Sequence, residues 1–407
     1  MEEVLRRCET RWGPAWPPEP PTPPPVHSAT QATHLTFVGS FGGTSTFSDP
    51  FFCAPLPDGG CIVSDYGNHE LKVVSASGQV VQSLGGFGRS LGQLVRPRGL
   101  ALTEDGLFVT DDADRVQHFD LDGVALRCFP QRDAAPAPDG APARLCRPHG
   151  VARGADGLLY VADTGHQRVA VFHPGGSMAF AFGAKGTQPG CFDEPRGLAV
   201  AAGRVWVADM CNHRLQAFGL DGRLLCAVGG HGDGPAQFRY PVGVGVAAGR
   251  LFVSEYAGCR LQVLSLDGRF LQCVPAPGAY LGALGVAGRV LSVSDSASRV
   301  HLFAIEAPLD VPVGDAAHVA APGVPPPRAK AGPGAAGAAG GSEGEDEGAR
   351  LNAERRARVQ LAVQAADMRG VLQVLTQEDI RWLLPAAYAD AAEHPEFYQF
   401  APPESAT

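Results

Sequence analysis

Apolar and polar residues alternate in short runs through the middle of the chain, and the runs recur in a fixed order. The segment YVADTGHQRVAVF, residues 160–172, is nearly repeated as WVADMCNHRLQAF at 206–218. The shape occurs six times, and the acidic residue that closes its first apolar run stands at Asp65, Asp111, Asp163, Asp209, Glu255 and Asp295. Successive positions lie 46, 52, 46, 46 and 40 residues apart. Such a regular period with strand-like alternation predicts an array of similar β units rather than independent domains.

Each repeat predicts four short strands, here called a, b, c and d. In the fourth repeat they are RGLAVAA, RVWVAD, RLQAFGL and RLLCAVGG, separated by turns that contain Gly or Asp-Gly. Alternating apolar side chains suit sheets that pack against each other face to face. Radial stacking of four-stranded sheets makes a β-propeller, which leaves only short sheet edges. The sequence therefore predicts an all-β fold with six blades.

The two ends of the repeat region predict how the ring closes. The last repeat, from about Gly278 to Ile305, supplies strands a, b and c but no d. Ahead of the first repeat stands HLTFVGSFG, residues 34–42, which has the form of a d strand. Placing this N-terminal strand in the last blade completes the propeller at residues 34–305 and removes an open sheet edge.

The flanking segments have other compositions. Residues 1–33 are rich in proline and predict an extended, disordered N-terminus, while 306–349 are rich in Pro, Ala, Gly and acidic residues and predict a disordered linker. Residues 350–400 carry a helical apolar pattern and predict a short helical region. Most of the net charge of −9 lies in residues 306–407, which hold 8 basic and 15 acidic residues. Residues 34–305 hold 22 basic and 23 acidic residues and are nearly neutral. The acidic pI therefore says little about what the propeller binds.

No secretory signal, membrane span or C-x-x-C pair stands out in the chain. We therefore expect a cytoplasmic protein, with the nucleus as the alternative location, no membrane contact and free cysteine thiols. The oligomeric state cannot be predicted from these features.

The repeat resembles the NHL repeat, in the pattern Pro-x-Gly-apolar-Ala, then apolar-Val-Ala-Asp, then Asn-x-Arg-apolar-Gln-x-Phe. In the fourth repeat this pattern is carried by Pro195, Gly197, Ala199, Val207, Ala208, Asp209, Asn212, Arg214, Leu215, Gln216 and Phe218. The resemblance covers 34–305 and implies a six-bladed propeller.

Strand direction places one set of residues on a common rim. Strands a and c run in one direction and b in the other, so the start of a, the end of b and the b–c turn lie together. The residue after each repeat's proline is Phe51, Arg98, His149, Arg196 and Val242 in turn, and the pattern lapses around Tyr280. Arg98, His149 and Arg196 therefore predict a local basic patch at the mouth of the channel.

The b–c turns supply further candidates. The acidic residue and the Arg that opens strand c predict turn capping and an ion pair, as in Asp163 with Arg168 and Asp209 with Arg214. The remaining turn residues are aromatic or adaptable types that are common in contact surfaces. The candidate binding residues of the turns are Tyr66, His69, His166, Arg168, Met210, His213, Arg214 and Tyr256.

Three functional hypotheses follow. NHL propellers of the resembled family often recruit substrates for a ubiquitin ligase, which implies a protein-binding scaffold or adaptor here, since no RING motif is present. The first alternative is RNA binding through Arg98, Arg196, Arg168 and Arg214, with Tyr66 and Tyr256 available for stacking. The second is an enzyme, similar to the amidating lyases or to calcium-dependent hydrolytic propellers.

The resemblance to the amidating lyases implies a zinc ion held by histidines after the prolines of several blades. Only His149 occupies such a place, and one imidazole cannot supply the three protein ligands of a catalytic zinc. We therefore expect a non-enzymatic binding module with no cofactor and no metal.

Overall fold

The fold is described from a computed structural model of the chain, for residues 34–56, 58–130, 140, 143–278 and 280–306. All of them lie in the first of the two units into which the chain divides, Met1–Val313. The predictions for 1–33, for the linker beyond Glu306 and for the helical region at 350–400 fall outside the described residues. Within the described part, no helix is long and apolar enough to cross a membrane.

Six four-stranded antiparallel sheets make up the described structure, and each of five of them is one sequence repeat. The strands of blades 1 and 2 are β2 (Pro50–Pro55), β3 (Cys61–Asp65), β4 (Glu70–Val74), β5 (Val80–Gly85), β6 (Pro97–Thr103), β7 (Gly106–Asp111), β8 (Arg115–Phe119) and β9 (Ala125–Phe129). Those of blades 3 and 4 are β10 (Pro148–Arg153), β11 (Leu159–Asp163), β12 (Arg168–Phe172), β13 (Met178–Phe182), β14 (Pro195–Ala201), β15 (Arg204–Asp209), β16 (Arg214–Gly219) and β17 (Leu224–Gly229). Those of blades 5 and 6 are β18 (Pro241–Ala247), β19 (Arg250–Glu255), β20 (Arg260–Ser265), β21 (Phe270–Pro275), β22 (Leu281–Ala287), β23 (Val290–Asp295) and β24 (Arg299–Ile305).

The sixth blade is closed by the N-terminal strand, as predicted. Strand β1 (Leu35–Gly42) pairs antiparallel with β24, from Leu35 opposite Ile305 to Gly42 opposite Arg299. Leu35 is buried in the core that blade 6 shares with blade 5. Helical structure among the described residues is limited to two 3₁₀ turns, Thr164–His166 and Met210–Asn212. The predicted all-β six-bladed propeller is therefore confirmed.

The first strand of each blade lies innermost. Strands β2, β6, β10, β14, β18 and β22 each contact the next in this order, and β22 contacts β2. The glycine of Pro-x-Gly permits the close approach, because a Cβ at Gly197 would lie 2.3 Å from the carbonyl oxygen of Val242 in the next blade. The inner strands thus form a closed ring around the channel, and the side chains at their starts converge on its mouth.

Candidate functional site

One residue of every blade stands at the second position of the innermost strand, at the mouth of the channel. In blade 6 Leu281 takes the place of the proline, because it pairs with Asp295 as Pro241 pairs with Glu255. Gly282 therefore occupies the mouth position of blade 6, where the sequence pattern lapses around Tyr280. In blade order the six residues are Phe51, Arg98, His149, Arg196, Val242 and Gly282.

Buried hydroxyl groups hold the backbone at four of these positions. In each case a Ser or Thr of strand b donates a hydrogen bond to the carbonyl oxygen at the mouth position of the next blade. Because both partners are buried, the bond fixes the backbone position of each mouth residue. The pairs are Ser64 with Arg98 (2.8 Å), Thr110 with His149, Ser254 with Gly282 (2.7 Å) and Ser294 with Phe51 (2.8 Å).

The structure brings the three predicted polar mouth residues into contact. Arg98 NH1 lies 3.0 Å from His149 Nε2, and Arg196 NH1 lies 3.3 Å from His149 Nδ1. The side chains are nevertheless buried, with 8 % of Arg98 and 2 % of His149 and Arg196 exposed. The three residues predicted as a local basic patch are therefore a buried cluster, because neighbouring blades enclose them.

His149 is held neutral by its surroundings. Burial lowers the pKa of His149 well below its ordinary value, and the positive charges of Arg196 and Arg98 lower it further. A neutral imidazole offers one N–H donor and one acceptor nitrogen. Because an arginine N–H group lies against each ring nitrogen, only one of the two contacts can be a hydrogen bond. The other arginine N–H group has no acceptor in the ring.

The arginines are paired with residues that the sequence analysis did not single out. Arg98 Nε lies 2.6 Å from Asp112 Oδ1, and Arg98 NH2 lies 3.1 Å from the other carboxylate oxygen. Glu194 bridges two arginines, with 3.2 Å to Arg196 NH2 and 3.3 Å to Arg147 NH2. Their positions in the repeat could have identified these residues. Asp112 directly follows the acidic residue that ends strand b, and Arg147 and Glu194 directly precede prolines.

These contacts leave the cluster with more N–H donors than the imidazole can accept. Arg98 and Arg196 each place an N–H group against His149, whose neutral ring can accept only one of them. Arg196 Nε is also buried without a hydrogen-bond partner among the described residues. Buried polar groups are normally satisfied, so these N–H groups are available to the oxygen atoms of an anion.

The remaining predicted arginines belong to the turns. Asp163 Oδ2 and Asp209 Oδ2 each accept a 2.8 Å bond, from Arg168 Nε and Arg214 Nε, which confirms the ion pairs. The predicted capping of these two b–c turns was wrong, because the Oδ1 atoms instead accept from the backbone amides of Cys146 and Asp193 in the loop that precedes each inner strand. The other nitrogens of Arg214 donate to carbonyl oxygens of the preceding inter-blade loop, including Cys191 O at 2.8 Å. Arg168 and Arg214 are therefore removed from the candidate binding residues, because their guanidinium groups hold their own blades together.

Most of the predicted turn aromatics and histidines are also buried. Tyr66, Met210 and Tyr256 pack into one apolar cluster and expose 9 %, 2 % and 6 % of their surface. His213 is buried too, and its Nδ1 lies 3.2 Å from the amide nitrogen of Tyr240. Their assignment to an exposed contact surface is therefore corrected: these side chains form the wall of the mouth.

Two predicted turn residues do reach the surface. His166 is exposed, and its Nδ1 lies 2.8 Å from Asp163 Oδ2. His69 is half-buried and stacks edge-on against Phe87, which is 72 % exposed. With Arg96 and Arg147, His69 and Phe87 line an open cleft of about 520 Å³ beside Asp112.

The mouth has two chemically different halves. We call the side formed by blades 2 to 4 the charged half; it holds Arg98, His149 and Arg196 with Asp112, Arg147 and Glu194. The opposite side is the apolar half, whose members lie in one continuous cluster at the starts of the inner strands and in the b–c turns. They are Phe51, Tyr66, Tyr240, Val242, Tyr256, Ala257, Tyr280 and Ala283, and Met210 of blade 4 joins them.

The amidating-lyase resemblance calls for a test of metal binding. Within the described part of the chain, no group of three His, Cys, Asp or Glu residues is placed to hold a metal ion. At the mouth positions, His149 is flanked by two arginines, whose positive charges oppose metal binding. The residues present do not fit the zinc site of that family.

Comparisons with known proteins agree with the fold. A family model described as NHL repeat matches residues 145–172 and 192–218. No curated protein gives a significant match. Among solved structures, a catalytically inactive virginiamycin B lyase from Staphylococcus aureus with quinupristin has 12 % identity and a TM-score of 0.49, over 67 % of this chain and 100 % of the other. A candidate gluconolactonase has 18 % identity and a TM-score of 0.50, over 67 % and 94 %.

The comparisons also correct one prediction. The expectation that the chain is not an enzyme is withdrawn, since a solved propeller that shares its fold is a candidate gluconolactonase. At identities of 11 to 18 % the likeness extends to the fold and not to a reaction. The repeat matches, the six sheets and the closing strand lead to one identification: the chain carries a six-bladed β-propeller with NHL repeats at residues 145–172 and 192–218.

Proposed function

We propose that the propeller binds a small anionic molecule at the mouth of its channel, through the charged half. The observation that carries this proposal is the excess of buried N–H donors around His149, where two arginines face one neutral imidazole. Charge-assisted bonds from guanidinium groups to carboxylate or phosphate oxygens are shorter and stronger than neutral ones. An anion at this point would satisfy Arg196 Nε and the arginine N–H that the imidazole cannot accept.

The predicted protein partner and the RNA alternative gain less support from the site. The RNA hypothesis relied on arginines at the rim, whereas Arg98 and Arg196 are buried and Arg168 and Arg214 are bound within their blades. The protein-binding hypothesis relied on the turn residues, most of which are buried in the wall of the mouth. A site enclosed in this way suits a small molecule better than a macromolecular surface. Protein binding by the propeller and RNA binding stay predictions.

Binding of acetate to the full chain, with uncharged acetamide as the comparison ligand, tests the proposal. Ligand-observed NMR should detect saturable acetate binding and no acetamide binding. Arg196→Gln should weaken acetate binding roughly tenfold or more, since bonds to a charged group are lost. Arg269→Gln is the matched control, because the Arg269 side chain is 80 % exposed and forms an ion pair with the exposed Asp267. Equal affinity for acetate and acetamide, or an unchanged affinity in Arg196→Gln with an intact melt, would refute it.

A catalytic role is the second candidate, and the buried arginine N–H groups beside His149 favour it. Arginine N–H groups can stabilise an oxyanion that develops when water attacks a carbonyl carbon. Hydrolysis of a lactone or ester by this arrangement would release a carboxylate, which is the kind of anion that the site is proposed to hold. No step of this hypothesis requires a metal ion.

Hydrolysis of δ-valerolactone, followed by pH-stat titration, tests the catalytic candidate. Arg196→Gln should lower the rate about a hundredfold or more, which is the usual cost of removing one oxyanion donor. Arg269→Gln should leave the rate unchanged. A rate no higher than that of buffer, together with saturable acetate binding, would remove lactone hydrolysis and leave anion binding in place.

A further inference from the structure

We propose that the open cleft beside Phe87 is a docking site for a protein segment that carries an acidic side chain close to a large apolar one. The cleft has a volume of about 520 Å³, and it is lined by His69, Phe87, Val95, Arg96, Asp112, Asp114, Cys146 and Arg147. Phe87 and Arg96, on which the proposal rests, do not belong to the charged half. The proposal therefore does not depend on anion binding at the mouth.

Phe87 presents an aromatic ring to solvent at this cleft. It is 72 % exposed, and its ring centroid lies 4.9 Å from that of His69 in an edge-on contact. His69 is held in turn, because its Nδ1 accepts a 3.0 Å hydrogen bond from the backbone amide of Arg96. An exposed aromatic side chain that is supported from behind is typical of the residues that dominate the binding energy of protein interfaces.

Exposed apolar side chains distinguish this inter-blade loop from two others of the same form. In the loops 86–94, 184–192 and 230–238 the second residue forms a β-bridge with the ninth, as Phe87 does with Leu94. The first loop also exposes 49 % of Leu91. At the places of Phe87 and Leu91 the other loops carry Lys185 and Pro189, and His231 and Pro235. Leu91 does not line the cleft, so covering both apolar residues requires a partner that extends beyond the cleft, which favours a protein segment over a small molecule.

The loop is ordered by its own hydrogen bonds. The Leu94 amide donates a 2.8 Å bond to the carbonyl oxygen of Gly86, and the Gly86 amide donates a 3.0 Å bond to that of His69. Arg115 NH1 donates a 2.6 Å bond to the carbonyl oxygen of Arg89. Because the backbone is fixed before a partner arrives, binding would cost little conformational entropy.

Arg96 supplies positive charge to the same cleft. The side chain is exposed, and its Cζ lies 5.5 Å from the centre of the Tyr66 ring. Its guanidinium group forms no hydrogen bond or ion pair with any of the described residues. A guanidinium group stacked on a ring keeps its N–H groups free to donate to a carboxylate.

The carboxylates around the cleft do not pair with Arg96. Asp112 accepts bonds of 2.6 and 3.1 Å from Arg98, and Asp114 Oδ1 accepts a 2.7 Å bond from the backbone amide of Arg147. Burial raises the pKa of Asp49, and the positive charges of Arg98 and Arg96 act against that rise, but no ion pair joins Asp49 to Arg96.

Charge complementarity indicates an acidic partner. The chain from Leu71 to Thr103 holds four basic residues and no acidic residue. An acidic side chain beside an apolar one would therefore meet Arg96 and Phe87 together. RNA fits less well, because the exposed carboxylate of Asp114 would oppose its phosphates and Leu91 would gain no contact from them.

Selection from a library of short random peptides displayed on phage tests the proposal. The full chain is the bait, and Phe87→Ser is used for counter-selection. The two proteins should melt at nearly the same temperature, because Phe87 is exposed. Peptides that bind the wild-type chain and not Phe87→Ser should be enriched in Asp or Glu close to a large apolar residue.

Fluorescence anisotropy with one selected peptide locates its contacts. Phe87→Ser should weaken binding roughly thirtyfold or more, as loss of an interface hot spot does, and Arg96→Gln roughly tenfold. Replacing the acidic residue of the peptide by its amide should cost about as much as Arg96→Gln, and the two changes together should cost no more than either alone. Arg269→Gln and Val81→Ser are the matched controls at exposed positions and should leave binding unchanged.

The outcomes separate the docking site from its alternatives and from the anion site. A selection without Phe87-dependent peptides, or one whose peptides show no excess of acidic residues, overturns the proposal. Additive losses for Arg96→Gln and the amide peptide overturn the contact between Arg96 and the carboxylate. A random-sequence RNA pool that binds the wild-type chain and not Phe87→Ser would make the cleft an RNA site instead. Phe87→Ser should leave acetate binding unchanged, so failure of the docking site and failure of the anion site give different results.

Discussion

His149 Nδ1 lies 3.3 Å from Arg196 NH1, although the two residues stand on different blades and both are buried. Burial and, after it, the positive charge of Arg196 oppose the charged form of the imidazole, so the pKa of His149 lies well below its usual value of 6.5. Arg98 and Arg147 act in the same direction. In the unfolded chain His149 regains its ordinary pKa. As the pH falls below 6.5, the unfolded state therefore takes up the proton first, and His149 reduces the free energy of unfolding.

We predict that the free energy of unfolding depends on pH through His149, and that His149→Gln removes this contribution. Between pH 7.5 and 5.5 the wild-type chain should lose about 1 kcal/mol more of its unfolding free energy than the variant, since one pKa unit corresponds to about 1.4 kcal/mol. Urea unfolding at both pH values measures the difference. Arg196→Gln should make it smaller, because a positive neighbour is removed. Parallel losses in the wild type and His149→Gln would contradict the neutral, buried imidazole.

Because Arg98 and Arg196 are buried, reversing their charges should destabilise the propeller. Arg98→Glu would place a carboxylate against Asp112, and Arg196→Glu would place one against Glu194, both out of water. The double variant should lose several kcal/mol of stability, because removing one partner of a buried pair typically costs about 3 to 5 kcal/mol. Thermal melts measure the loss, with the exposed Arg269→Glu as the control that leaves the melting temperature nearly unchanged. An unaltered melt in the double variant would show that the mouth arginines are solvated.

The repeat predicted the fold well because its determinants are local. Period-two alternation, turn residues and a constant spacing specify the strands, and the missing d strand of the last repeat indicated which segment closes the ring. Even the departures in blade 1 follow local chemistry: Glu70 stands where arginine is usual, and Lys72 pairs with Asp65 at 2.7 Å instead.

The site was less predictable because its contacts join residues of different blades. The sequence places Arg98, His149 and Arg196 on one rim, but it does not indicate the width of the channel and therefore not their burial. Nor does it indicate that Glu194 meets Arg147, 47 residues earlier and on the neighbouring blade. Tyr66 and Tyr256 have the composition of contact residues, yet the converging inner strands draw them into the wall.

Because the inner strands lie close together, adding one methyl group at Gly197 should lower the free energy of unfolding. In Gly197→Ala the new Cβ would lie 2.3 Å from the carbonyl oxygen of Val242, a backbone atom that can move only if the inner strands separate. We expect a loss of about 1 to 3 kcal/mol in the free energy of unfolding, as for other overpacked positions. Gly39→Ala, where a Cβ has nothing within 4 Å, should change it little. Chemical denaturation of both variants gives the comparison, and equal stabilities would contradict the tight inner ring.

Closure of the ring predicts that β1, which lies far in sequence from the other strands of its blade, stabilises the whole propeller. Leu35 of β1 is 2 % exposed in the core shared with blade 5, whereas Val38 of the same strand is 65 % exposed. Leu35→Ala should cost about 2 to 5 kcal/mol, as buried leucine truncations do, and Val38→Ala should cost much less. Deleting residues 1–42 removes β1 and exposes the edge of β24, so its melting temperature should fall well below that of a chain lacking only residues 1–30. Equal melting temperatures for the two truncations would mean that β1 does not hold the sixth blade in the ring.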